Sequence, residues 1–108
     1  MENNDKVTEL ANSGFDNFIK QDVVLIDFFA EWCMPCLVMA PIIDELNEKF
    51  DGKIKFGKVN VGENPEIAQK FNVSSIPNFT LLKRGKVVKQ FIGSMSSEEF
   101  EEKLGKFL

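Results

Sequence analysis

The hydrophobic and polar positions of this chain follow two rhythms, and the switches between them lay out its elements. After a polar lead-in, Val7 to Leu10 fit a short edge strand. Ser13 is placed to cap a short helix that carries Phe15, Phe18 and Ile19 on its apolar side. Val23 to Phe29 is apolar throughout except for Asp27. A β-branched and aromatic run of that length suits a central strand buried on both faces. Cys33 to Phe50 reads as a helix, with an imperfect stripe at Leu37, Ala40, Ile43 or Asp44, Leu46, Asn47 and Phe50. Pro41 falls inside it and should kink it, because proline lacks the donor and crowds the preceding turn. Asp51-Gly52-Lys53 ends it.

Ile54 to Val61 reads as a further strand, with Ile54, Phe56 and Lys58 on one face. Asn64-Pro65 opens a short helix in the favoured cap-then-proline order, with Ile67, Ala68 and Phe71 turned inward. A strand over 78–83, a tight turn at Arg84-Gly85 and a strand over 87–92 make a hairpin. Gly93 breaks that pattern. Ser96 and Glu99 then form a capping box for a last amphipathic helix that buries Phe100, Leu104 and Phe107 or Leu108. The order β-α-β-α-β-α-β-β-α predicts an α/β fold with a mixed sheet of about five strands flanked by about four helices. The alternating part supplies parallel strands and the hairpin an antiparallel addition. No linker, repeat or low-complexity stretch divides residues 1–108, so a single domain is expected.

Composition changes this picture in few places. Of the aromatic residues, 11 are Phe, one is Trp and none is Tyr, so the core should rest on phenyl rings. A net charge of −4 and a sequence pI near 4.8 argue against a general affinity for nucleic acid or for anionic membrane. No apolar run reaches bilayer length. Met1 to Lys6 is polar and lacks the layout of a secretion signal, which makes a cytoplasmic location the expectation.

The candidate chemistry is carried by the chain's 2 cysteines, Cys33 and Cys36, separated by Met34 and Pro35. A secreted disulfide scaffold would spread several pairs along the chain, whereas these two could staple nothing distant. They sit where a buried strand feeds a helix. Cys33 would occupy the helix N-terminus, where unpaired N–H groups and the macrodipole favour an anion by up to ~2 kcal/mol. Cys36, one turn on, lies on the same face within bonding reach. Cys33 is therefore the expected attacking thiolate and Cys36 the resolving thiol. A lower thiol pKa raises the thiolate fraction but costs nucleophilicity, leaving a gain of only about a few-fold. Proximity of the resolving thiol should count for more. With no His and no third Cys in the chain, a zinc site and a Cys–His hydrolase dyad both lack their ligands, and no metal is expected.

The stretch from Asp27 through Phe28-Phe29-Ala30-Glu31-Trp32-Cys33-Met34-Pro35-Cys36 strongly resembles the active-site segment of the thioredoxin family. The likeness continues through Ala40-Pro41, Lys58-Val59-Asn60-Val61, Asn64-Pro65, Val73, Ile76-Pro77, Lys83-Arg84-Gly85 and Gly93, in order and over essentially the whole chain. It implies the thioredoxin fold and a dithiol enzyme that reduces protein disulfides. It further implies a cis peptide at Ile76-Pro77, which would leave the Ile76 backbone open to an extended client segment. Trp32, Met34, Ile76, Pro77 and Gly93 would rim the sulfur as an apolar docking surface. Asp27 would handle the proton of Cys36, with Lys58 as its partner. A carboxylate alone in an apolar strand should also have a raised pKa from desolvation.

The chain departs from the family at Met34, where glycine is usual, at Phe29, where tryptophan is frequent, and at Leu37, where a lysine is often found. Met34 and Pro35, lying between the cysteines, are expected to tune the redox potential, and Leu37 makes the surrounding surface more apolar. The family implies disulfide-bearing client proteins and an external reductase of the thioredoxin-reductase type that recharges the pair. It implies no bound cofactor, and a monomer is expected. Two other readings stay open at this level: an oxidase or isomerase, although those relatives often place histidine between the cysteines, and a non-catalytic binding module on the same fold.

Overall fold

The computed structural model describes residues 7–108, and the polar lead-in from Met1 to Lys6 lies outside them. Along the chain come β1 (Thr8–Glu9), α1 (Asn12–Ile19), β2 (Val23–Phe29), α2 (Met34–Lys49), β3 (Lys55–Asn60), α3 (Pro65–Lys70), β4 (Asn78–Lys83), β5 (Lys86–Ile92) and α4 (Ser97–Gly105). The strands form one sheet in the order β1-β3-β2-β4-β5. β2 lies at its centre, parallel to β3 and antiparallel to β4. β1 runs parallel to β3, and β5 antiparallel to β4. This is the mixed α/β sheet expected from the element order.

The apolar run of β2 is long because both of its faces are covered. Successive side chains point to opposite sides. Leu25 packs with Met39, Ile43 and Leu46 of α2 and with Phe100 and Leu104 of α4. Val24, Ile26 and Phe28 pack with Phe15 and Ile19 of α1 and Ile67 of α3. Phenyl rings dominate both layers. Phe100 meets Phe79 and Phe91 edge-on at 5.0 and 5.4 Å, and Phe71 meets Phe15 at 5.5 Å on the other side, geometries that suit the ring quadrupole.

The hairpin turns on Arg84 and Gly85, both at positive φ (52° and 85°), the pair of left-handed residues a two-residue hairpin loop demands. At α4 the expected cap is present, with Ser96 Oγ accepting a hydrogen bond from the Glu99 N–H at 3.1 Å. No helix among the described residues is long and apolar enough to cross a membrane.

Three details differ from the hydrophobic pattern's first reading. Ser13 is not a cap. The Leu10 N–H still bonds to the Lys58 carbonyl at 2.8 Å, so the chain leaves β3 there and α1 begins at once, with Ala11 as its N-cap. Asn64 stands at the N-cap of α3, but its side chain makes no cap bond and its Nδ2 donates instead to the Asn60 carbonyl. On α2 the buried positions are Cys36, Met39, Ile43 and Leu46. Leu37 and Ala40, which the expected stripe grouped with them, are exposed, in keeping with the apolar surface expected at Leu37.

Candidate functional site

β2 leads into the site and α2 leads away from it. Beyond Phe29 the chain turns, with the Cys33 N–H donating to the Ala30 carbonyl at 3.2 Å. Cys33 then takes the N-cap position of α2 in an extended conformation. Pro35 follows inside the first turn, where a missing N–H costs no helical bond. The Cys36 N–H points back at Cys33 and donates to its Sγ at 3.2 Å. Sulfur therefore holds the place that a serine or aspartate oxygen fills in an ordinary N-cap. One turn on, Cys36 is disulfide-bonded to Cys33, their Cα atoms 5.3 Å apart, an ordinary span for such a bond. The site can thus stabilise a thiolate at Cys33 by a backbone donor and the helix dipole while keeping its partner sulfur in covalent reach.

Ala30, Cys33 and Cys36 form a small cluster against Phe29, Val61 and Ile76. In the oxidised pair each cysteine is only 6% exposed. Trp32 and Met34, by contrast, stand out at 75% and 66% exposed. The Ile76-Pro77 peptide is cis. Gly93, at φ 96°, donates its N–H to the Pro77 carbonyl at 3.0 Å, which ties the approach to β4 to the exit from β5. Ile76 is half-buried, and Pro77 is buried, so it backs the rim without facing solvent.

Asp27 shares the face of β2 that α2 and α4 cover, since it alternates with Leu25. It is buried, and its Oδ1 has no hydrogen-bond partner among the described residues. Burial pushes its carboxyl up to about 7; Lys58 pulls the other way and Asp44 adds a smaller push upward. Lys58 sits directly across from Asp27 in the β2–β3 register, with its Nζ 5.7 Å from the centre of the Phe29 ring. The structure therefore brings Asp27 and Lys58 together. It adds Asp44, which the helical pattern left undecided between inside and outside.

Val38 and Ile92 are further residues the pattern did not single out, and with Leu37 they are more than half exposed. Ile92 immediately precedes Gly93. Val38 follows Leu37 on α2, and the spacing Met34, Leu37, Val38, Pro41 could have marked an outer apolar stripe. No group of three His, Cys, Asp or Glu side chains among the described residues is placed to hold a metal ion.

Comparison with known proteins agrees with this geometry. Residues 6–106 match the family model described as Thioredoxin. A thioredoxin of Staphylococcus haemolyticus is 40% identical over 102 residues, covering 94% of this chain and 98% of the relative. A thioredoxin of Alicyclobacillus acidocaldarius is 42% identical over 100 residues, covering 92% and 95%. The Staphylococcus saprophyticus thioredoxin is 39% identical over 102 residues. With a disulfide capping the helix that follows the central strand and a match running almost end to end, the chain belongs to the thioredoxin family and is a protein-disulfide oxidoreductase.

Proposed function

We propose that the chain works as a reductant of protein disulfides, with Cys33 as nucleophile and Cys36 as resolving thiol. The Cys33 thiolate attacks one sulfur of a client disulfide. A Cys33–client bond forms, the client S–S bond breaks, and the departing client sulfur takes a proton. Cys36 then attacks the Cys33 sulfur, closing the Cys33–Cys36 bond and releasing the second client thiol. Two electrons have passed from the pair to the client. Asp27, ionised in part near neutral pH, takes the proton that Cys36 must lose, and Lys58 holds that charge from the neighbouring strand. The observation that carries the reading is the Cys36 N–H donating to Cys33 Sγ, which favours charge on Cys33 rather than on Cys36.

Trp32, Met34, Ile76 and Gly93, backed by the buried Pro77, form the rim against which the client backbone lies, and Met34 and Pro35 tune the potential of the pair. The oxidised enzyme is recharged by an external reductase of the thioredoxin-reductase type, with no cofactor bound to the chain itself. We take residues 1–108 as one monomeric catalytic domain, a reading supported by the family match over 6–106. Its place would be in cytoplasmic electron transport and redox homeostasis, away from nucleic acid and membrane, in keeping with the net charge of −4. Trapping tests the assignment of roles. Cys36→Ser should accumulate a covalent complex with a disulfide-bearing protein such as insulin, and Cys33→Ser should not. Trapping by Cys33→Ser alone would reverse the roles.

A further inference from the structure

α2 carries two apolar stripes. The inner one, Cys36, Met39, Ile43 and Leu46, is buried against the sheet. The outer one, Met34, Leu37, Val38 and Pro41, repeats at i, i+3, i+4 and i+7 and faces solvent, with Met34 66%, Leu37 54% and Val38 60% exposed. A surface helix ordinarily turns charge outward. From Trp32 to Ile43 this one has no charged residue, whereas beyond Asp44 come Glu45, Glu48 and Lys49. The exposed apolar face is therefore confined to the end of the helix that carries the sulfurs. It begins beside Cys33 and is continuous with the place where a client must lie to form the mixed disulfide: the Leu37 N–H bonds to the Cys33 carbonyl at 3.2 Å, one turn from the reacting atom. Contiguous exposed apolar surface of this kind marks an interaction site.

From this we infer that Leu37 and Val38 extend the client-binding surface along α2 and select clients in which an apolar segment flanks the reacting cysteine. The inference rests on the assignment of this chain as a reductant of disulfide-bearing clients. A segment lying along the helix would cover the stripe, while an acidic one would lose water without gaining a partner.

The test uses two synthetic peptides with the same disulfide, one flanked by Leu and Val and the other by Asp and Glu, and compares kcat/KM for each with wild type and with Leu37→Lys/Val38→Lys. Wild type should prefer the apolar peptide by about tenfold, as expected from covering about two half-exposed aliphatic side chains. The variant should reduce that preference to near parity or reverse it. An unchanged ratio in the variant, or no preference in wild type, would overturn the inference while leaving the reductant assignment intact. Wild type that reduces neither peptide would overturn the reductant assignment itself. Sedimentation of wild type checks the competing occupant: a dimer broken by the same substitutions would show that a second copy, not a client, covers the stripe.

Discussion

Asp27 concentrates the cost and the use of this site in one side chain. An aspartate in an unfolded chain titrates near 4, whereas burial holds this one at about 7 in the oxidised protein. Between those values the folded protein keeps a proton that the unfolded chain has released, so unfolding becomes easier as pH rises from about 4 to about 7 and then levels off. Asp27→Asn removes the titration. Against wild type it should gain stability progressively across that window, by up to about 4 kcal/mol at pH 8, and gain little at pH 4. Denaturant unfolding at the two pH values measures this, and equal gains at both would mean that folding leaves the Asp27 carboxyl at its unfolded value. If the same carboxylate takes the Cys36 proton, the variant should also lose the rise of mixed-disulfide resolution with pH near 7. Normal resolution across neutral pH would remove Asp27 from the chemistry. The sequence already marked this residue, because a lone carboxylate in an apolar strand has few explanations. It could not mark Asp44, whose influence depends on how α2 is rotated over the sheet.

The elements were legible wherever one rhythm ruled. β2 and β4 have the bounds their apolar runs suggested, and α4 starts at the Ser96 cap. Ser96→Ala should therefore destabilise the fold by about 1 kcal/mol, and Phe100→Ala, which empties the centre of a ring cluster, by about 3–5 kcal/mol. A fully intact melting transition in the second variant would show that α4 is not part of the cooperative core. α2 was harder to read because its inner and outer apolar stripes interleave at the same period. Periodicity finds an apolar face but does not say which of two is covered, so the stripe read along α2 mixes inner positions such as Ile43 and Leu46 with outer ones such as Leu37 and Ala40. The start of α1 was misplaced for another reason. Serine favours caps as a type, but the pairing of Leu10 with β3, a long-range contact, decided where the helix began.

At the scale of the whole molecule, the sheet order puts the two sulfurs at the end of the central strand, with Trp32 and Met34 exposed beside them in the chain, Ile76 packed against them, and Asp27 and Lys58 across from each other on the face that α2 covers. A loop cysteine pair could exchange disulfides slowly. This placement adds a backbone donor at Cys33, a second sulfur in covalent reach and, at Trp32 and Met34, exposed apolar surface beside them. That the pair runs as a reductant is tested most directly by the midpoint potential of the Cys33–Cys36 couple, equilibrated in defined dithiol or glutathione buffers. The reference value for thioredoxin itself is about −270 mV, and a reductant should lie near or below about −250 mV. A potential near −180 mV or higher would contradict the claim and place the chain among isomerases and oxidases, with Met34 the first residue to substitute.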